Sequence, residues 1–229
     1  MPRGKFIVFE GIDGSGLTTQ AELLRNWFLK QGLECYLTKE PSEGPAGVMI
    51  RLALSKRLTS FHKTGQHVPL DNLALALFFA ADRIDHLSTA IMPRLEMGVN
   101  VISDRYYLSS FAFQAIQADL HWIRSINSKC EKPDLTIFLD VPAEICKKRM
   151  ERQRWHVELY EETDRLEEVH LNYLAAIKQL SLENENIEVI NGVDSIQNVH
   201  KAVSLVVKRT LSKRVVPNDR CQLGLELEI

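Results

Sequence analysis

The sequence predicts one three-layer α/β domain, in which a parallel sheet of five strands carries helices on both faces. Short apolar runs alternate along the chain with segments of helical periodicity. These runs are mostly apolar rather than strictly alternating, which is typical of strands that are buried on both faces. A glycine-rich turn joins the first run to the first helix, and a length of 229 residues suits one such domain.

The five predicted strands lie at residues 6–9, 33–37, 99–102, 135–139 and 187–190. The carboxyl ends of parallel strands meet at one edge of the sheet, where such proteins bind their ligands. Polar side chains follow three of these strands. We therefore expect Asp13, Lys39 and the pair Asp104 and Arg105 to gather at that edge.

Helical periodicity follows the glycine-rich turn and recurs at residues 46–58, 70–95, 144–152, 164–180 and from Ser195 to about residue 211. The segment 70–95 is either one helix or two abutting helices, with Pro93 as the kink or end of a turn. Its apolar side chains are available to a core: Leu73, Leu77, Phe78, Ile84 and Leu87. Residues 59–69 are polar and are predicted to be irregular.

Composition limits the classes of function. The net charge of −2 provides no basic field, so we expect neither nucleic acid nor membrane as a partner. No segment is long enough to span a bilayer, and the apolar run at the N-terminus is too short for a signal peptide. The four cysteines show no paired spacing, which favours a reducing, cytoplasmic location.

The turn after the first strand has the form G-x-x-x-x-G-Leu-Thr, one residue away from the phosphate-binding pattern G-x-x-x-x-G-Lys-[Ser/Thr]. Gly11, Gly14 and Gly16 allow close backbone approach, and backbone N–H groups at a helix start favour anions. Thr18 offers a hydroxyl to Mg²⁺. Leu17 replaces the lysine that would reach the β- and γ-phosphates, so a glycine-rich turn that binds nothing remains the alternative.

Asp104 and Arg105 directly follow a buried strand. A carboxylate there can organise Mg²⁺ or orient an attacking oxygen, and the guanidinium can bind phosphate as a fork. The alternative is a salt-bridged strand end. Polar Ser109, Ser110 and Gln114 follow on the next turn and helix, which favours a site.

Two further groups have a functional and a purely structural interpretation. Phe79 and Arg83 are spaced i, i+4 and so share one face of a helix. They could stack on and hydrogen-bond a nucleobase, or they could be a core phenylalanine beside a surface arginine. The basic cluster Arg149, Arg152 and Arg154, preceded by two lysines, is either a lid that closes on phosphates or a solvated helix face.

Several segments, in a shared order, resemble the thymidylate kinase family of P-loop nucleoside monophosphate kinases. They are FEGIDGSGLTTQ at 9–20, TKEP at 38–41, FAADR at 79–83, DRY at 104–106, SSFAFQ at 109–114, PDLTIFLDV at 133–141 and the lid segment ELYE at 158–161. The match spans about residues 5–210. It implies a P-loop kinase fold with a short lid at about 148–162, in a domain of residues 1–213 followed by a tail at 214–229.

The resemblance implies ATP-dependent phosphorylation of dTMP to dTDP with Mg²⁺, in a homodimer. The ATP phosphates would lie on Gly11, Ile12, Asp13, Gly14, Ser15, Gly16, Leu17, Thr18 and Thr19. Thr18 and Asp104 would serve Mg²⁺. Catalysis would use Asp104 and Arg105, with Arg152 and Arg154 of the lid supplying the charge that Leu17 lacks.

The acceptor nucleotide would occupy a second set of residues. Asp13 would bind the deoxyribose hydroxyl, Phe79 would stack on thymine and Arg83 would hydrogen-bond it, while Arg105 would hold the phosphate. The remaining implied acceptor residues are Lys39, Ser109, Phe113 and Gln114.

Three residues depart from the family pattern. Leu17 replaces lysine, Lys39 replaces arginine and Phe113 replaces tyrosine. Two alternatives therefore stay open at this point. One is a kinase-like protein that binds nucleotide with weak or no turnover, and the other is a kinase for another nucleotide or nucleoside.

Overall fold

The computed structural model describes residues 2–152 and 163–212. Five parallel strands form the central sheet in the order β2-β5-β1-β6-β7, which confirms the predicted architecture. The strands are β1 (Phe6–Glu10), β2 (Cys35–Lys39), β5 (Asn100–Asp104), β6 (Leu135–Asp140) and β7 (Ile187–Asn191). A separate antiparallel hairpin consists of β3 (Thr59–Phe61) and β4 (His67–Pro69).

Helices cover both faces of this sheet. The described helices are α1 (Leu17–Lys30), α2 (Pro45–Leu54), α3 (Asn72–His86), α4 (Met92–Glu96), α5 (Tyr107–Phe113), α6 (Leu120–Ile126), α7 (Ala143–Glu151), α8 (Thr163–Leu182) and α9 (Ile196–Ser212). A π-type turn (Leu87–Ile91) joins α3 to α4, and a 3₁₀ turn (Gln114–Ile116) follows α5.

The strands divide their side chains between two cores, as the two-residue repeat of a strand requires. Phe6 and Val8 of β1 belong to one cluster, which α5 and α8 help to close. Ile7 and Phe9 belong to the other, beneath α1 and α9. The predicted three layers are therefore confirmed.

The register of the sheet brings the functional edge together. Phe9 of β1 and Lys39 of β2 are both aligned with Asp104 of β5. The residues that follow these positions therefore emerge side by side at the carboxyl edge, as the sequence predicted.

The second strand begins two residues later than predicted. Gly32 has a φ of +69° after α1, and the N–H of Leu33 donates to the carbonyl of Phe28 at 3.1 Å. The positive φ of Gly32 and this hydrogen bond close the end of the helix, so residues 33 and 34 belong to the turn.

The prediction of an irregular segment at 59–69 was wrong, because it contains the β3–β4 hairpin. His62 N–H donates to the Gln66 carbonyl at 2.9 Å, and Gly65 takes a φ of +83° in the turn. Three-residue strands of mostly polar composition carry too little periodicity to be recognised in a sequence.

Part of the predicted core on α3 is also wrong. Leu73, Leu77 and Ile84 are 47%, 50% and 42% exposed. The inward face of the helix carries small and apolar residues toward its start, and nearer its end it carries Asp82 and Arg83, each 1% exposed. Hydrophobic periodicity failed here because the last part of this face buries charged, hydrogen-bonded side chains.

Among the described residues, no helix is both long enough and apolar enough to cross a membrane. The first part of the predicted lid, up to Glu151, is the end of α7. Arg154, the ELYE segment and the tail at 214–229 lie outside the described residues.

Candidate active site

The glycine-rich loop between β1 and α1 is shaped for an anion. Gly14 and Gly16 have φ values of +83° and +102°, in a region that favours glycine. A Cβ on Gly14 would lie 2.7 Å from the carbonyl oxygen of Cys146. Gly16 begins α1 without any side-chain cap, so the first N–H groups of the helix are open to a ligand.

Leu17 is only 5% exposed and belongs to the hydrophobic cluster beneath α1. Leu17 therefore contributes apolar packing, and the backbone donors of the loop do not depend on its side chain.

A cavity of about 490 Å³ opens along this loop. All the predicted phosphate-loop residues except Gly11 line it, together with Lys39, Asp104 and Arg105. The far wall is formed by Arg149 of α7 and by Gly192, Asp194, Ile196 and Val199 around the start of α9.

The residues predicted for Mg²⁺ lie together. Thr18 Oγ1 donates to Asp104 Oδ2 at 2.6 Å, and both residues line the cavity along the loop. Hydroxyl and carboxylate oxygens are the hard donors that Mg²⁺ accepts, and it usually completes its shell with phosphates and water. The donor set therefore fits Mg²⁺ held jointly with nucleotide phosphates, and the described residues contain no cluster of three or more His, Cys, Asp and Glu side chains that could hold a metal.

Arg105 lines the cavity along the loop and is held there by several hydrogen bonds. Its Nη1 donates to the Gly11 carbonyl at 2.9 Å and to the Ser109 and Tyr173 hydroxyls at 3.2 Å each. Its Nη2 donates to Asp13 Oδ1 at 2.6 Å. Burial disfavours the charged guanidinium, but Asp13 and other neighbouring acidic groups raise the pKa of Arg105, so that it remains a cation.

The backbone of Arg105 is strained. Its φ of +75° lies in the left-handed region, which a residue with a Cβ adopts only when its surroundings enforce it. Arg105 N–H donates to the Phe9 carbonyl at 2.9 Å, and Ser103 Oγ donates to the Arg105 carbonyl at 2.8 Å. The strand end thus forces the guanidinium toward the loop.

A second cavity, of about 150 Å³, lies beside Arg105. Every residue predicted for the acceptor except Lys39 lines it: Asp13, Phe79, Arg83, Arg105, Ser109, Phe113 and Gln114. Lys39 lies in the larger cavity instead, where it is 61% exposed and has Glu43 at 3.5 Å. The geometry thus presents two adjoining compartments with Arg105 lining both.

Arg83 is 1% exposed, and most of its donors are used by groups within the protein. Its Nε donates to Glu40 at 2.8 Å and its Nη2 to the Tyr106 carbonyl at 3.2 Å. Its Nη1 donates to Ser110 Oγ at 3.1 Å and to Asn127 Oδ1. Among the described residues, one Nη2 N–H is left without a partner and can serve a ligand.

Gln114 supplies a complementary group in the smaller cavity. The residue is 8% exposed, and its Oε1 has no hydrogen-bond partner among the described residues. A buried amide oxygen without a donor is unfavourable by about 1–3 kcal/mol. A planar ligand that offers one N–H beside a carbonyl would satisfy both Gln114 and the remaining Arg83 donor.

The basic residues of α7 occupy different environments. Arg149 Nη1 donates to the Ser15 carbonyl at 3.3 Å, and its Nη2 donates to the Gly192 carbonyl at 2.9 Å. Arg149 therefore braces the phosphate loop against the segment before α9. Arg152 is exposed at the end of the helix.

Several residues that shape the site were not predicted. Glu10, Tyr173 and Glu40 are fully or almost fully buried and hold Arg105 or Arg83. The sequence carries one signal for Glu10, since it is an acidic residue at the end of an apolar strand. Tyr173 carried none, because in the sequence it was one of several apolar positions on a helix.

Burial raises the pKa of Glu10 to about 7. Hydrogen bonds from Ser109 and Tyr173 and the charge of Arg105 lower this pKa, but by less than burial raises it. The folded protein therefore binds a proton that an unfolded carboxyl, with a pKa of 4.5, releases. The free energy of unfolding should fall between pH 4.5 and 7 by about 3 kcal/mol from this group. Glu10→Gln should remove the fall, so the variant should be more stable than wild type at pH 8. Urea unfolding from pH 5 to pH 8 measures this, and parallel curves for the two proteins would contradict it.

A family model described as "Thymidylate kinase" matches residues 9–203. A probable thymidylate kinase of Pyrococcus horikoshii is 38% identical over 211 residues, covering 91% of this chain and 98% of that protein. A thymidylate kinase of Nitrosomonas eutropha is 37% identical, covering 91% of this chain and 94% of that protein. A thymidylate kinase of Desulfotalea psychrophila is 34% identical, covering 91% of this chain and 96% of that protein.

Proposed function

The chain belongs to the thymidylate kinase family, and we propose that it transfers the γ-phosphoryl group of ATP to dTMP, giving dTDP. The observation that carries the proposal is the pair of adjoining cavities, with Arg105 lining both. Phosphoryl transfer needs a donor and an acceptor phosphate held in line beside positive charge, and two compartments that meet at one arginine provide that.

The smaller cavity would hold dTMP. Thymine presents an N–H beside carbonyl oxygens, which suits the unpartnered Gln114 Oε1 and the remaining N–H of Arg83. Phe79 would cover the ring, and Asp13 would accept from the sugar hydroxyl. Phe113 packs edge-on against Tyr173, with ring centroids 6.1 Å apart, and would exclude a 2′-hydroxyl by its bulk.

The larger cavity would hold ATP, with its phosphates on the loop N–H groups. Mg²⁺, held through Thr18 and Asp104 together with the phosphates, would neutralise their charge when bound. Arg105 would hold the acceptor phosphate toward the donor. Asp104, whose Oδ2 lies 2.6 Å from Thr18 Oγ1 in the larger cavity, would orient the reacting groups.

Activity is tested with ATP, Mg²⁺ and a panel of nucleoside monophosphates and nucleosides in a coupled assay. We expect dTMP to have the highest kcat/KM and the ribonucleotide UMP to be a poor substrate. A different preferred acceptor would overturn the assignment of dTMP. Binding of dTMP and ATP without turnover would favour a nucleotide-binding protein.

The charge that Leu17 lacks would come from the lid. Arg152→Ala or Arg154→Ala should lower kcat by about tenfold or more with little change in the KM for dTMP, because these cations act on the transferred phosphate. Leu17→Lys should retain activity and weaken that dependence. A double-mutant cycle between position 17 and each arginine measures the coupling.

The matched control for this cycle is Arg124→Ala. Arg124 lines neither of the two cavities, and its Nη2 donates to Glu183 Oε1 at 2.7 Å. This variant should leave kcat unchanged. Strictly additive effects at position 17 and the lid arginines would show that the lid does not replace the missing lysine.

We further propose a homodimer formed through α3, and a cytoplasmic location, in keeping with the free thiols of the three described cysteines. Leu73, Leu77 and Ile84 lie on one exposed face of α3, and Val48 of the adjoining α2 is 43% exposed. An apolar patch of this kind marks an association surface.

Leu77→Glu should therefore give a monomer in light scattering at concentrations where wild type is dimeric. Leu171→Glu is the control, since Leu171 is 59% exposed on α8 and should leave the dimer intact. A dimer that survives Leu77→Glu would place the interface elsewhere.

A further inference from the structure

Glu10 is a fully buried carboxylate at the end of β1 that lines neither cavity. Its Oε1 accepts from the N–H groups of Tyr106 at 2.9 Å and Ser109 at 3.2 Å. Its Oε2 accepts from Ser109 Oγ at 2.6 Å and Tyr173 OH at 3.1 Å. Four donors from two separate segments thus converge on one side chain.

The two hydroxyls connect this carboxylate to Arg105. Ser109 Oγ and Tyr173 OH each accept from Arg105 Nη1 at 3.2 Å, and they lie 2.8 Å from each other. Each hydroxyl can accept from the guanidinium and donate to Glu10, so the hydrogen bonds run in one direction from cation to anion. Burial raises the pKa of Tyr173 well above its ordinary value, which keeps the phenol protonated as a donor.

The backbone contacts act on the same residue. Tyr106, whose N–H donates to Glu10, directly follows the strained Arg105 with its φ of +75°. A left-handed arginine persists only where its surroundings determine it. Glu10 therefore constrains Arg105 from both ends, through the side chain and through the next peptide group.

We infer that Glu10 is a positioning residue for the acceptor phosphate, which fixes the guanidinium of Arg105 through the hydroxyls of Ser109 and Tyr173. The inference rests on the proposed function, in which Arg105 holds that phosphate. A carboxylate suits this task because it accepts all four donors, whereas an amide would turn one donor of its own toward the hydroxyls.

The test compares Glu10→Gln with wild type at pH 8 in the kinase assay and by calorimetric binding of dTMP. We expect the KM and Kd for dTMP to rise about tenfold, the effect of weakening hydrogen bonds to a charged group, and the KM for ATP to change less than twofold. Thermal stability should stay the same or rise. A purely structural residue would lose stability and affect both substrates alike.

Tyr173→Phe gives a second, milder variant, which removes one hydroxyl bridge and leaves the carboxylate with its other donors. It should raise the KM for dTMP about threefold, and the double variant with Glu10→Gln should lose less than the product of the two effects. The control is Glu185→Gln, since the Glu185 side chain is 9% exposed and its carboxylate also accepts from a tyrosine, Tyr107 OH, at 2.6 Å. It should leave both KM values unchanged.

An unchanged KM for dTMP in Glu10→Gln, or an equal rise for ATP, would overturn the inference. If wild type binds dTMP without phosphorylating it, the proposed function fails and the dissociation constants still decide the role of Glu10. If wild type binds no dTMP, both fail.

Discussion

Arg105→Met is expected to lower kcat/KM for dTMP by about 10²–10³-fold, the scale of losing one preorganised charge in a phosphoryl-transfer site. The guanidinium is the cation shared by the two cavities, and its Nη2 lies 2.6 Å from Asp13. Methionine keeps the length and apolar character of the side chain and removes the charge. Steady-state kinetics with dTMP and with ATP varied separately measure the loss.

The effect should be confined to the acceptor side, so the KM for ATP should change by less than about threefold. Arg105→Lys should fall between wild type and methionine, because an ammonium cannot reach Gly11 and Asp13 with a planar fork. If Arg105→Met kept wild-type efficiency, Arg105 would not be the phosphate-binding residue.

Arg83→Ala is expected to lower the free energy of unfolding by about 3–5 kcal/mol, because it removes the guanidinium from the buried Glu40 carboxylate and leaves only His86 Nδ1, at 3.4 Å, beside it. The two side chains are 1% and 2% exposed, and Arg83 Nε lies 2.8 Å from Glu40 Oε2. Three other side-chain and backbone oxygens would also lose donors. Urea unfolding at pH 7.5 measures the change.

Two further proteins make this prediction specific. The double variant Arg83→Ala, Glu40→Gln should lose less than the sum of the single variants, since neither charge is then left unpaired. Arg124→Ala, which breaks the exposed pair with Glu183, should cost only about 0–1 kcal/mol. If Arg83→Ala cost less than 1 kcal/mol, the buried pair would not hold the fold and Arg83 would act on the ligand alone.

The fold was predictable because its strongest signals are local. A buried strand such as β1, followed by glycines and an amphipathic helix, has few alternative structures, and five such strands determine a parallel sheet. The hairpin at 59–69 was missed because its strands are too short. The outward face of α3 was misassigned because hydrophobic periodicity cannot show that a helix will bury Asp82 and Arg83.

The gathering of the candidate site residues was predictable to the extent that they lie at or near strand ends. Asp104 and Arg105 lie at the end of β5 and Asp13 lies in the turn after β1, so their meeting follows from topology alone. Glu40 and Tyr173 come from a loop and from the middle of α8, and only the packed structure brings them to Arg83 and Arg105. The choice of partners for a buried charge is a tertiary property, which no spacing in the sequence encodes.

We propose that this chain carries out phosphoryl transfer to dTMP with Leu17 at the position where the phosphate-binding pattern has lysine. A single-turnover experiment, with enzyme in excess over radiolabelled dTMP and with saturating ATP and Mg²⁺, tests it most directly because product release does not limit it. We predict that labelled dTDP forms in a single exponential phase, whose rate constant Arg105→Met lowers by about 10²-fold or more. Tight binding of both nucleotides with no dTDP formed would contradict the claim.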